Sequence, residues 1–405
     1  MHVLIVSQIF PPDMGGSATR ALNIAKSLLS RGHQITVIAA FPHYPTGNIP
    51  KKYRQKALAV EYLGKIRVIR TYVPPLASKG LARRLVLFGA FTISSLFAVS
   101  LVRKVNVVFA SNPQILSVFP GFFYGLVNSC AVVQNVDDLW PEVLYDLNMV
   151  KSRFFRRIAE IIARLTYRAS TAITPISPSY VDTIVEKYGI DPRKVHVVPG
   201  GVDLSIFSCQ NQDESSRAEF RALYIGAFSL GYDFEQVLRA AKLLAEEKNV
   251  EIVLQGGGEL APFLKSRVKE MSLSNVRIID RVVDRDEVVR TMAAADCLLL
   301  PLSGFGSIEK GISSKLYEYQ AAGKPIICCS DGQPGRYTLD TRSGVVVKPG
   351  DYVALAKAIL FLRDNPKVAE QFKISGREYV KANLSIEKIG LKIERIVSQA
   401  ILNKH

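Results

Sequence analysis

Short apolar runs rich in Val and Ile alternate with stretches of helical periodicity along this chain, and the alternation begins twice. The first start is a strand at 2–7, a loop at 10–17, a helix at 18–31 and a second strand at 34–39, which together form a βαβ unit. Strands follow at 66–72, 105–110, 131–135 and 172–175. Parallel strands need crossover helices, and those helices cover both faces, so this order predicts a buried parallel sheet. After a loop at 197–203 and a polar linker at 208–217 the pattern restarts, with strands at 221–225, 250–254, 276–279, 297–301, 325–329 and 344–347. Helices are expected between them at 234–247, 260–271, 285–294, 314–322 and 353–365, and a last helix at 386–402 has no strand after it. At 405 residues the chain is also too long for one core. The expected fold is α/β, with two doubly wound Rossmann-like domains, 1–205 and 206–385, facing across a cleft. Ligands of such sheets lie outside the carboxyl ends of the strands.

One segment of the second half carries more chemistry than the rest. Ser313 and Ser314 open a helix that holds Lys315 and Glu318, and Gly323, Lys324 and Pro325 end it ahead of an apolar strand. The free amides of a first helical turn and the positive end of the dipole favour phosphate, and Lys315 adds a full charge beside them. Glu318, one turn on, is placed to accept from sugar hydroxyls, so the group describes a cradle for a sugar nucleotide. Serines before a helix and a Glu one turn in are equally an ordinary cap. Three loops after strands are rich in small residues: 226–231 with Gly226, Phe228 and Ser229, 255–259 with Gly256 and Gly258, and 304–314 with Glu309 and Lys310. Small residues let backbone amides approach phosphate oxygens, although each loop alone is also an ordinary turn.

The formal net charge of +16 is unevenly spread: residues 1–200 hold 24 Lys and Arg against 10 Asp and Glu, and the remainder hold 28 against 26. Such an excess meets something anionic. No zinc-finger or RNA-recognition signature accompanies it and long apolar runs interrupt it, so an anionic membrane surface is expected rather than nucleic acid. Residues 85–102 carry no formal charge and lie between Arg83, Arg84 and Arg103, Lys104. Their length is marginal for a span of about 20 residues. A buried crossover helix, an interfacial helix with basic ends and a membrane span all stay open. Lys151, Arg153, Phe154, Phe155, Arg156 and Arg157 repeat the mixture of basic and aromatic groups, which is also that of a solvated helix start. Cys130, Cys209, Cys297, Cys328 and Cys329 lack metal spacing and read as buried thiols of a reducing compartment. The opening Met1, His2 and Val3 lead straight into a strand and a glycine loop, unlike a signal peptide, so a cytoplasmic protein is expected. Asp137 and Asp138 invite a metal, but no further His or acid cluster completes a shell, and neither metal nor cofactor is expected.

Taken in order, the motifs resemble the retaining glycosyltransferases of family four, which have the GT-B fold. The nearest likeness is to members that extend lipid-linked surface glycans, similar to the N-acetylfucosamine transferase type. The marks run nearly end to end: Pro11, Pro12, Asp13, Met14, Gly15, Gly16 and Ser17; Phe41, Pro42, His43, Tyr44, Pro45, Thr46 and Gly47; Asp138, Leu139, Trp140, Pro141 and Glu142; Val198, Pro199, Gly200, Gly201, Val202 and Asp203. Ser314, Lys315, Leu316, Tyr317, Glu318 and Tyr319, with Ala322, Gly323, Lys324 and Pro325, complete them.

The resemblance implies a nucleotide diphosphate sugar, most often uridine-linked, bound without metal by the second domain. Glu318 would hold the ribose, and Ser314, Lys315 and Leu316 would face the diphosphate. Gly256 and Gly258 would border the nucleotide, with Arg281 and Val282 near the base. Gly15, Gly16 and Ser17 would close over phosphate or acceptor from the first domain. Asp138 would orient or accept from a sugar hydroxyl, or simply cap the turn before Trp140, and the terminal helix, 386–405, would cross back onto the first domain. Charge and resemblance together point to a lipid-diphosphate-linked glycan acceptor at the inner face of the cell membrane. The chain departs from the family pattern in offering Phe228, Ser229 and Tyr232 where Arg and Lys are usual, which leaves Lys315 and Lys310 to neutralise the diphosphate. It also has Lys310, with Glu309 beside it, eight positions before Glu318 where a Glu is usual, Asp137 and Asp138 where a His is common, and Gly200 where Asn is common. A sugar-nucleotide epimerase of the same fold and a non-catalytic nucleotide-sugar-binding subunit are the competing expectations.

Overall fold

The computed structural model describes residues 1–44, 46–76, 80–112, 114–207, 219–247 and 249–404, so Pro45, Cys209 and the linker expected at 208–217 lie outside the described residues. The chain forms two compact units, Met1–Gly201 with Ile386–His405, and Val202–Ser385. Counted over these units, the first holds 28 Lys and Arg against 12 Asp and Glu and the second 24 against 24. The whole formal excess of +16 therefore sits on the first.

In chain order the first unit comprises β1 (His2–Val6), α1 (Gly16–Ser30), β2 (Gln34–Ala40), β3 (Leu58–Leu63), β4 (Ile66–Thr71), α2 (Leu81–Ala98), β5 (Val107–Asn112), α3 (Phe119–Val127) and β6 (Ala131–Val136). It continues through α4 (Glu142–Asp146), α5 (Arg153–Ala169), β7 (Ala172–Pro175) and α6 (Pro178–Asp182). The sheet order is β3-β4-β2-β1-β5-β6-β7. Val3, Leu4, Ile5 and Val6 of the central strand are fully buried, as a strand covered on both faces requires. One strand was not expected from the sequence: β3 runs antiparallel to β4 at the sheet's edge, and Gly64, at φ 58°, makes the tight turn between them.

Right-handed crossovers put α1 on one face of this sheet and α2, α3 and α5 on the other, because the chain steps from β1 to β2 in one direction and from β4 through β7 in the opposite one. Helix α2 answers the question left by residues 85–102: it is a crossover helix seated on the sheet by Leu87, Phe91 and Ala98, yet beyond these only Ser95 of it is buried. The terminal helix, α15 (Ile386–Leu402), joins the α1 face. Gly390 permits the approach, since a Cβ there would stand 2.9 Å from the Ser27 carbonyl oxygen. Glu394 closes it by pairing with Arg31 and, at 2.8 Å, with His33 Nε2.

The second unit holds β8 (Phe220–Ala227), α7 (Phe234–Leu243), β9 (Val250–Gly257), α8 (Ala261–Glu270), β10 (Val276–Asp280), α9 (Arg285–Ala293), β11 (Cys297–Pro301), α10 (Gly306–Lys310), α11 (Ser314–Ala321) and β12 (Ile326–Cys329). After these come α12 (Gln333–Asp340), β13 (Gly344–Val347), α13 (Tyr352–Asp364) and α14 (Pro366–Asn383). Its strands pair only in parallel, in the order β10-β9-β8-β11-β12-β13. The direction of winding reverses between β8 and β11, which opens a crevice at their carboxyl ends. Cys297, Cys328 and Cys329 are buried free thiols in these strands, and Cys130 is a fourth in the first unit.

Candidate active site

Helix α11 begins beside that crevice. Ser313 caps it, its Oγ accepting from the Lys315 amide at 3.4 Å. The opposite face is fixed by packing: Leu316, Tyr317 and Tyr319 are buried, and Gln320 donates to Thr341 Oγ1 at 2.8 Å while accepting from Tyr337 Oη at 2.7 Å. The helix therefore holds its amino end against β8. Lys315 Nζ donates to the Ile225 carbonyl at 2.7 Å and lies 5.3 Å from the centre of the Tyr224 ring. Burial pulls this ammonium down to about 8; Glu318 opposes the shift and Arg285 adds to it.

Glycine makes room for that lysine. A Cβ on Gly226, at φ 145°, would fall 1.9 Å from Lys315 Nζ, and one on Gly256, at φ 152°, would fall 1.8 Å from the Gly226 carbonyl oxygen. Gly226 and Gly256 are register partners at the ends of β8 and β9. Two expected groups, the glycine ends and the helix start, thus meet around one ammonium.

Glu318 is not a lone carboxylate. Its Oε1 lies 2.8 Å from a guanidinium nitrogen of Arg285, the first residue of α9, and the Arg285 guanidinium carbon in turn lies 5.9 Å from the Phe207 ring centre. Arg285 and Tyr224 escaped the sequence reading, because nothing local marks them.

Other expected residues fall away from this cluster or offer less than their loops suggested. Phe228 is fully buried, its ring edge-on to Phe234 at 5.4 Å; its amide donates to Gly257 O and its carbonyl accepts from the Leu260 amide. It is a core residue with its backbone groups spent. Leu316 likewise is buried and its amide donates to Ser313 O. Ser229 is half-buried in the turn closed by Tyr232, and Gly258 is exposed against the Phe228 backbone. Arg281 and Val282 are exposed beyond the edge strand β10, with Arg281 paired to Glu287. Glu309 serves the loop after β12: its Oε2 accepts from Ser330 Oγ and, at 2.5 Å, from the Gly332 amide. Lys310 is exposed at the end of α10.

In the first unit, Gly15 and Gly16 open the 15-residue helix α1 and are exposed, with Ser17 half-buried behind them. The loop before them is braced from below. Asp13 Oδ1 accepts from the His43 and Tyr44 amides at 2.8 and 2.9 Å, and buried Arg70 donates to the carbonyls of Phe10 and Pro11. Asp137 and Asp138 part company. Asp137 is buried 2.7 Å from Arg20 Nε and accepts from Ser111 Oγ and Asn135 Nδ2 at 2.8 Å each, a structural network. Asp138 is exposed; desolvation and then Asp137 act to raise its carboxyl to about 7, and water at the side chain weakens that push.

The two Rossmann-like units are those of the GT-B fold. Residues 210–379 match the family model described as glycosyl transferases group 1, and residues 14–206 match the one described as glycosyltransferase family 4. Between them the two models span most of the chain, which belongs to glycosyltransferase family 4. It is similar to sucrose-phosphate synthase of Thermosynechococcus elongatus, with a TM-score of 0.76 at 18% identity over 98% of both chains. It is 23% identical to WcaI of Escherichia coli K12, assigned as a glycosyl transferase of colanic acid biosynthesis, over 96% of this chain and 98% of that one. A GDP-mannose-dependent monoacylated α-(1-6)-phosphatidylinositol monomannoside mannosyltransferase of Corynebacterium glutamicum is 24% identical over 56% of this chain, and the match spans 61% of that enzyme's length. None of these three names supports the expected N-acetylfucosamine transferase type.

Proposed function

We propose that the protein is a retaining glycosyltransferase that moves a sugar from a nucleotide diphosphate sugar, uridine-linked by preference, to a lipid-diphosphate-linked glycan acceptor at the cytoplasmic face of a membrane. The observation that carries this reading is the half-buried Lys315 ammonium at the amino end of α11, in the space cleared by Gly226. Transfer passes through a sugar cation while charge builds on the departing diphosphate. Lys315, at the positive end of the α11 dipole, stabilises that charge, and the leaving phosphate takes the acceptor proton, so no protein nucleophile and no metal is invoked. Glu318, steadied by Arg285, accepts from ribose hydroxyls. Asp138, with Gly15 and Gly16, handles the acceptor or the sugar from the first unit. The +16 carried by that unit suits an anionic bilayer, and the phosphatidylinositol mannoside in the name of the C. glutamicum relative supports a lipid acceptor. That same name carries GDP-mannose, so the donor base is the point to test first.

A thermal-shift screen of nucleotide sugars, including uridine- and guanosine-linked donors, tests the donor, since a ligand that binds only the native form raises its melting point. One donor should stand out, and its transfer to a lipid-linked acceptor should fall at least about 100-fold in Lys315→Ala, the scale of losing one transition-state charge contact. Loss of binding and turnover in equal measure would reduce Lys315 to a ground-state contact.

A further inference from the structure

Three helices on one face of the first unit leave large apolar side chains outside. Helix α3 presses glycines to the sheet: a Cβ on Gly121 would meet Val108 at 3.0 Å, and one on Gly125 would meet Val132 at 2.4 Å. Tyr124 is buried, but Phe119, Phe123, Leu126 and Val127 are exposed, Leu126 at 81%. Helix α2 turns Ser95 inward, where it meets Thr71 Oγ1 at 3.2 Å, and leaves Leu85, Val86, Ile93 and Phe97 outside, Phe97 at 71%. With its short extension it forms an apolar stretch, Leu81–Leu101, that is long enough to cross a membrane but only 28% buried. Helix α5 buries Ala163, Thr166 and Tyr167 and exposes Phe154, Ile158, Ile161 and Leu165, whose spacing of four, three and four makes one stripe opposite the core side. All three lie on the same side of the sheet, with α2 and α3 in contact.

Charge on this face has one sign. Helices α2 and α3 contain no acidic residue, and the single one of α5, Glu160, is paired with Lys187 at 2.8 Å. Arg153, Arg157, Arg164 and Arg168 form a second exposed stripe beside the apolar one, and Arg103 and Lys104 follow the α2 extension. Apolar side chains flanked by arginines that reach sideways are the composition of a helix lying in a membrane interface. We propose that the α2–α3–α5 face is a membrane-docking surface that seats its apolar side chains at the acyl boundary of a leaflet containing anionic lipid. Because α2 stays seated on the sheet through Leu87, Phe91 and Ala98, it lies along the leaflet and does not cross it. The inference rests on the proposed attraction to an anionic membrane and deepens it, adding insertion to charge.

Cosedimentation with vesicles of phosphatidylcholine, alone or mixed with phosphatidylglycerol, separates the two contributions. The native chain should prefer the mixed vesicles at low salt and stay largely bound in about 1 M NaCl, where the Debye length is about 3 Å. Ile93→Ser, Leu126→Ser and Leu165→Ser combined should lower partition at least about tenfold and remove the salt-resistant fraction, as expected when several buried methylene groups are lost. The first unit's transition in scanning calorimetry, unchanged in that variant, verifies its fold. Arg157→Gln with Arg164→Gln should weaken the preference for phosphatidylglycerol and leave the salt-resistant fraction. Complete release of the native chain by salt overturns insertion and leaves charge attraction standing. Equal binding to both vesicles, unaffected by salt, overturns the charge reading and with it the anionic leaflet. A concentration-dependent dimer in sedimentation that the triple serine variant disperses, with no vesicle binding, overturns the proposal in favour of an interface between copies.

Discussion

Lys315 is a cation held where burial disfavours charge. Its pKa of about 8 lies below that of an exposed lysine, so between about pH 8 and pH 10.5 the unfolded chain binds more protons than the folded one. Stability from this group therefore rises with pH across that window, and below it the fold carries the full cost of the buried charge. A diphosphate at the amino end of α11 would supply the missing counter-charge and lift the pKa again. Titration calorimetry with a uridine diphosphate donor, run in buffers of different ionisation enthalpy, should find uptake of about half a proton near pH 8 and almost none near pH 6. No uptake at pH 8 would mean that the ammonium does not face the bound anion. The start of α11 with its serine cap, and Lys315 and Glu318 one turn apart on it, were legible in the sequence because a cap and a one-turn spacing are local. Arg285 was not, since it reaches Glu318 only through the order of the sheet. Phe228 misled for the converse reason: its glycine-rich neighbourhood suggested an open loop, and packing on Phe234 and Tyr224 claimed the ring.

Between elements, α15 approaches α1 closely at Gly390. Alanine at Gly390 would gain about 1 kcal/mol of helix propensity, while overpacking against a backbone carbonyl costs about 1–3 kcal/mol. Valine adds bulk without that gain. Gly390→Val should therefore lower the urea midpoint of the first unit by the larger amount, and an unchanged midpoint would show that the helices part to admit it. The sequence anticipated α15 from its periodicity and lack of a following strand. It did not anticipate α14, because Pro366 after Asp364 and Asn365 reads as a stop, whereas Pro at the first position of a helix is also a start. It missed β3 because a lone antiparallel hairpin at the edge breaks the βα rhythm that revealed the other strands. The outward apolar stripes of α2, α3 and α5 show the same limit: periodicity gives a helix two faces, and only packing tells which one meets the core.

The two units differ in how they should respond to solution conditions. With +16 on the first and zero on the second, self-repulsion is confined to the first, and salt relieves it there alone. Raising ionic strength from about 0.01 M to about 0.1 M shortens the Debye length from about 30 Å to about 10 Å. In differential scanning calorimetry this should move the first unit's transition upward and leave the second's nearly in place. A donor nucleotide should do the reverse. At 100 times its dissociation constant it contributes about 2.7 kcal/mol, or roughly 5–10 °C for a unit of this size, to the unit that binds it. Gly390→Val assigns the transitions, since it should lower only that of the first unit. If salt and nucleotide each shifted both transitions alike, the units would be melting as one body, and neither the confinement of charge nor that of donor binding could be read from their separate cores.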